Sequence, residues 1–310
     1  MTQSLMTDTR LPKDTEPYVD DAHRQPARPL RDFLASLLSS KSGLVGAVLL
    51  AAIVLITLSA DILPIADPQK RSLSTRYLPP VWLERGVIAH PLGTDGQGRD
   101  ILARIIHGAR SSVIVGVSAV LLSGILGLVL GLLAGLRGGV IDLVLMRLVD
   151  AILAIPAMLF MLVVALVVGS GIAPLIVVIA LTNWVVYTRI VRAEVLRVKD
   201  LEFVAAARVS RVRVTTLILR HLLPNILPAV VVVATLNVGT VILTESSLSF
   251  LGFGIQPPQI SWGQMLADGR QQLATSWWIS TFPGIALTMT VFSIILLGDW
   301  LRDYLDPRLP

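Results

Sequence analysis

Few residues in this sequence have both the type and the setting to do chemistry. Glu245 stands inside an apolar run, Ile226 to Leu251, and is followed by Ser246, Ser247 and Ser249. An acid in such a run marks either a hydrogen-bonded anchor between helices or the lining of a solute path. Asp150 opens a second apolar run, three residues after Arg147. A local i,i+3 ion pair there competes with a role at the mouth of the same path. The third feature is longer. Arg189 to Asn225 carries eight basic residues against Glu194, Asp200 and Glu202. On a helix Phe203, Ala207, Ser210 and Val214 share one face, with Arg208 roughly opposite. The small residues Ala205, Ala206 and Ala207 would let that helix lie in a partner's groove. An amphipathic helix resting on anionic lipid has the same composition, so both readings stay open.

The usual catalytic constellations do not occur. The one Lys followed by Ser or Thr is Lys41-Ser42, and Ser40 stands where a phosphate-binding loop needs glycine. His23, His90, His107 and His221 are scattered, with no His-Glu-x-x-His. Cysteine is absent, which excludes disulfides and thiolate metal sites. No residue is assigned a catalytic, cofactor-binding or metal-binding role.

The elements that must position these residues are spans. The chain is 54% hydrophobic and only 15% charged, with a mean hydropathy of +0.75, and its apolar residues fall in blocks long enough to cross a bilayer. About six spans are expected. They begin near Gly43, Ser112, Ala151, Ile172, Ile226 and Phe282, and the fold class is an all-α polytopic membrane protein. The first thirty or so residues of the polar tail 1–42 read as disordered. Residues 43–66 hold the first span, 67–111 form an outer loop, and 112–310 form the core with its charged inner stretch at 189–225. Net charge is +5, but the basic residues sit beside the spans, where they meet lipid headgroups rather than nucleic acid. Placing both termini on the cytoplasmic face gathers 18 of the 26 Lys and Arg there. The 67–111 loop, with seven, runs against that trend.

In the second span Ala119, Ser123, Gly127, Gly131 and Gly135 recur every four residues. Such a strip lets a neighbouring backbone approach closely, and helix packing is the reading taken over a pore lining.

At Phe203-Val204-Ala205-Ala206-Ala207 and Arg220-His221-Leu222-Leu223-Pro224-Asn225 the chain resembles the permease subunits of ABC importers. Further stretches narrow the resemblance to the second permease of the dipeptide, oligopeptide and nickel group. These are His90-Pro91-Leu92-Gly93-Thr94-Asp95 with Gly98-Arg99-Asp100, Asp150 to Pro156, Leu248 to Gly252, Gly298 to Asp303, and Leu305-Asp306-Pro307-Arg308. The resemblance covers roughly residues 40–310. It implies a type I importer fold with a peripheral first span, set in a bacterial cytoplasmic membrane. It also implies a sister permease, two cytoplasmic ATPases that hold ATP and magnesium, and an extracytoplasmic binding protein. The coupling helix would be built on Phe203 to Arg208, with Arg211, His221, Pro224 and Asn225 behind it. Two positions depart from the family pattern: Ala205 stands where it has glutamate, and Arg211 where it has glycine. Residues 67–111 and 255–281, the latter with Trp262, Trp277 and Trp278, are candidates to meet the binding protein, and interfacial anchoring explains the tryptophans equally well. The rival is a secondary transporter or channel that works without ATPases. It would place functional ionisable groups deep in several spans, and spans 1, 2, 4 and 6 have none in their cores. A membrane scaffold with no transport role is a third reading.

Overall fold

A computed structural model describes residues 30–62, 65–210 and 212–305. Most of the 1–42 tail, Arg211, the side chain of Arg208 and the closing residues 306–310 lie outside the described residues. Among those described, helices dominate and the β structure is one isolated bridge, Thr94 to Asp100.

The last ten residues before the first span are helical: α1 covers Leu30–Ser39. Ser40 then caps α2, Lys41–Leu58, by accepting a hydrogen bond from the Gly43 amide at 3.2 Å. α2 is apolar all round and mostly uncovered. Its closest approaches to α11 are at two glycines, and Leu50 packs on the same core. A Cβ on Gly43 would lie 2.6 Å from Trp300 Cγ, and one on Gly46 2.9 Å from the Ser293 carbonyl.

The long polar stretch ends earlier than the sequence suggests. α3 runs unbroken from Ile101 to Arg137, so Arg104, His107 and Arg110 belong to the helix rather than to a loop ending at Ser111. At 1.5 Å per residue its 37 residues span about 55 Å, more than a hydrocarbon core requires.

The expected third span is the main correction. Instead of one apolar helix from Ala151 to Gly169, α4 (Gly139–Leu153) and α5 (Ala157–Val168) meet at a 94° bend. Pro156 has no N–H to continue the ladder, and it pushes Ile155 out of the helical region. Among the described residues five helices are long and apolar enough to span, or six if the bent pair counts as one.

α6 extends from Ile172 to Lys199, absorbing the first basic residues of the charged stretch. After it come the short α7 (Glu202–Val209), a single turn α8 (Val214–Thr216) and a π-turn, Leu217–Leu222. These lead into α9, Leu223–Phe250. α10 (Trp262–Gly269) precedes the last helix, α11, Trp278–Leu305.

α3 and α6 form the most extensive pairing, and the glycine strip is the reason. A Cβ on Gly127 would lie 2.3 Å from Tyr187 Cβ, on Gly131 2.6 Å from Val191 Cβ, and on Gly135 2.6 Å from Val195 Cγ1. Both residue numbers rise together along the seam, so the helices run parallel. Their C-termini, α7, the start of α2 and the end of α11 therefore share one end of the molecule. The Asp95 loop and α10 occupy the other.

Candidate functional site

At the α7 end two ion pairs fix α4 to α6. Asp142 takes a two-pronged contact from Arg192, with Nη2 donating to Oδ2 at 2.7 Å. Asp150 accepts from Arg189. Asp150 is half exposed, and its partner is Arg189 on α6 rather than the nearby Arg147. The pair clamps one helix to another.

α7 projects beyond this clamp. Val204 and Ala207 are buried and Phe203 is half-buried, with its ring 6.1 Å from the His221 ring. Those three residues are the inner face. Ala205, Ala206 and Val209 point outward, Val209 at 84% exposure. The helix stops at Val209, so Val214 does not share a face with Phe203 and Ala207. It lies in α8, also exposed. Behind α7, Asn225 Nδ2 donates to the His221 carbonyl at 2.6 Å, and Pro224 sits where the π-turn passes into the first turn of α9. The result is a small apolar knob held by two buried side chains and one ring contact.

Glu245 is fully buried and faces α3. Ser112 donates to Oε2 at 3.0 Å, Ser246 to Oε2 at 3.2 Å and Ser249 to Oε1 at 2.8 Å. Three hydroxyls thus take up the carboxyl inside the α3–α9 contact, which is how a buried acid is accommodated.

The other end holds a cluster that sequence reasoning did not assign a physical role. Asp95 is 2% exposed and Arg104 1%. Asp95 Oδ2 accepts from Arg99 Nε at 2.7 Å and from Arg104 Nη1, while Oδ1 accepts from the Gln97 and Arg99 amides at 2.8 and 3.0 Å. Burial pushes the Asp95 carboxyl up. The guanidiniums of Arg104 and Arg99 and the two backbone amides more than offset this, holding it below the usual carboxylate range. Asp268, at the end of α10, meets both arginines at 3.4 Å. Asp100 caps α3 through the Ala103 amide at 2.7 Å and binds His90 Nδ1 at 2.8 Å.

The loop bends tightly to do this. Gly98 has φ +72, and a Cβ there would meet the Ser72 carbonyl at 1.9 Å. Two tryptophans stitch the same region. Trp262 Nε1 donates to the Ile105 carbonyl at 2.9 Å and Trp278 Nε1 to the Thr94 carbonyl at 3.2 Å. Both are buried, so neither is available for a docking partner or for lipid. Trp277, 38% exposed, is.

The family described as "Binding-protein-dependent transport system inner membrane component" matches residues 127–309, more than half of the chain. The chain belongs to this family. Its curated relatives extend the match over nearly the full length. The Di/tripeptide transport system permease protein DppC of Pseudomonas aeruginosa is 38% identical, over 91% of this chain and 93% of that protein. The Dipeptide transport system permease protein DppC of Escherichia coli K12 is also 38% identical, over 92% and 95%. Among solved structures, the inward-facing MetNI methionine ABC transporter aligns with a TM-score of 0.55 at 17% identity, covering 66% of this chain and 98% of that one. That likeness establishes the importer permease fold. In this permease the matched region contains the glycine seam, α7 and Glu245, and it excludes α2 and the Asp95 loop.

Proposed function

We propose that this permease is the translocation subunit of an ATP-driven importer of peptides, or of a related small solute such as a nickel complex, in a bacterial cytoplasmic membrane. It acts with a sister permease, two ATPases that hold ATP and magnesium, and an extracytoplasmic binding protein. Both termini and α7 face the cytoplasm. ATP-driven closure of the ATPases pulls on α7, and α6 and α9, rooted on either side of it, tilt to open the cavity outward. A ligand or partner moves such an equilibrium only by contacting its two states differently, and α7 is where that differential contact is made.

The observation that carries this reading is the outward face of α7. Ala205, Ala206 and Val209 are exposed just past the end of the most extensive helix pairing, and none of the described residues covers them. Small side chains there allow close approach by a partner's cleft.

The chain has no cysteine, so a single one at Ala206 is an unambiguous reporter. In native membranes, cross-linking from Ala206→Cys to an ATPase subunit should change in yield when ATP is added. No adduct from Ala205→Cys, Ala206→Cys or Val209→Cys, in variants shown to be expressed, would sink the docking. An ATP-independent transporter would then be the better reading.

A further inference from the structure

The surplus of basic residues on the Asp95 loop has a structural destination. Three of the seven, Arg71, Arg99 and Arg104, line one polar cavity of about 260 Å³ between residues 68–71, the 257–260 turn and α10. Gln69 bridges its rim, its Nε2 donating to the Pro258 carbonyl at 3.1 Å. Gln264 closes the floor.

Two buried polar atoms in this lining have no partner. Arg104 uses Nη1 on Asp95 and Nη2 on Asp268, but its Nε–H is unpaired. The Gln264 side-chain carbonyl is also unpaired. These residues are 1% and 8% exposed, and an unmade hydrogen bond at such depth is costly. The charge does not close either. Asp95 and Asp268 balance Arg99 and Arg104, whereas Arg71, which is exposed, has no ion pair among the described residues and leaves the lining one positive charge in surplus.

A ligand that completes this cavity must therefore accept from Arg104 Nε and donate to Gln264 Oε1, and one that also uses the surplus charge carries a negative charge toward Arg71. A bridging water supplies the first two but not the third. A lone carboxylate supplies the first and third but not the second. The geometry points to a subsite for the C-terminal residue of a peptide, its carboxylate on Arg104 and Arg71 and its amide N–H on Gln264. The choice of a peptide, rather than another carboxylate with an adjacent donor, rests on the importer reading above.

The test uses the full-length permease, purified in detergent, carrying Gln259→Cys as its only cysteine. Gln259 is exposed on the cavity wall. The measured quantity is the rate of modification by a negatively charged thiol reagent, with trialanine, trialanine C-terminal amide or acetate as protectants. Trialanine should slow labelling, its amide should not, and acetate should act only at higher concentration. Arg71→Gln should weaken trialanine protection about tenfold, the size of a charge-assisted hydrogen bond. Gln264→Leu should remove the advantage of trialanine over acetate, each compared with the unprotected rate of the same variant. Equal protection by trialanine and its amide would overturn the proposal, as would equal protection by acetate, which marks a general anion site. Absence of protection by any of them marks a cavity filled by water and overturns it too. The assay contains no ATPase or nucleotide. A failure here leaves the importer reading standing, and a failed cross-link at Ala206 leaves the binding result intact.

Discussion

The two ends of this permease are held together in opposite ways. At the Asp95 end, buried carboxylates and guanidiniums, two indole hydrogen bonds and a helix cap lock the outer loop onto α3, α10 and α11. At the α7 end, a short helix rests on Val204, Ala207 and the side of Phe203, and its remaining surface is open. Between them the α3–α6 seam is a rigid strut of backbone-to-backbone contact. A region so heavily bonded opens only with global unfolding, whereas one with few buried contacts moves at little expense. The contrast suits a machine that keeps its receiving face fixed and is driven from its lightly tethered end.

If that contrast is right, the largest stability effect should come from the Asp95 end. Asp95→Asn leaves Arg104 buried without its main counter-charge, and removing one partner of a buried pair typically destabilises by about 3–5 kcal/mol. Thermal unfolding of the purified permease reads this directly. The same site predicts a pH response. Because the folded-state pKa of Asp95 is depressed, its contribution is fully present above the unfolded value and is lost as pH falls through the folded one. The melting temperature should therefore respond to this group only in strongly acidic solution, and Asp95→Asn should remove that part of the response.

Next in size is the strut. Gly131→Val would drive its side chain against Val191 and the Thr188 carbonyl, and overpacking of this kind costs about 1–3 kcal/mol. An equal loss is expected for Glu245→Leu, which strands the Ser112 and Ser249 hydroxyls at about 1–3 kcal/mol for a buried unsatisfied group. Glu245→Gln, which keeps an acceptor, should lose much less. If Glu245→Leu melts with the parent while transport collapses, Glu245 belongs to the solute path and not to the α3–α9 anchor.

Much of this is legible in the sequence, and the exceptions share a cause. The spans were readable because bilayer length imposes a long apolar run, and the glycine strip because helical period puts every fourth residue on one face. The start of α3 was not. Arg104, His107 and Arg110 look like loop residues by composition, yet Arg104 is taken up by Asp95 and Asp268, Arg110 meets Asp61 at 3.4 Å, and the His107 ring bonds the Ala103 carbonyl one turn back. The break before α5 was signalled by Pro156, but a proline in an apolar run does not reveal a 94° turn. Asp268 lies 164 residues from Arg104, and no local pattern connects them. The i,i+4 spacing of Asp95 and Arg99 was the one cue to the cluster. Asp150 and Arg189 were each visible, but their pairing depends on how α4 crosses α6.

The smallest stability effect should accompany the largest functional one. Ala206→Glu places a charge on the exposed face of α7, where surface substitutions usually change stability by no more than about 0.5 kcal/mol. The melting temperature of the assembled complex should stay with the parent. On the proposed docking, substrate-stimulated ATP hydrolysis, measured in proteoliposomes, should fall sharply, because a bulky anion would stand on the small apolar surface offered to the ATPase. Val204→Ala is the matched control from the inner face. It removes a buried contact of α7, so it should loosen the helix and reduce coupling together with stability. If both substitutions lower stability alike, α7 is as firmly bound as the Asp95 end and the two ends do not differ in the way that drive from one of them requires. If Ala206→Glu leaves both stability and coupling untouched, force enters the permease elsewhere, and the open face of α7 is not the point of contact.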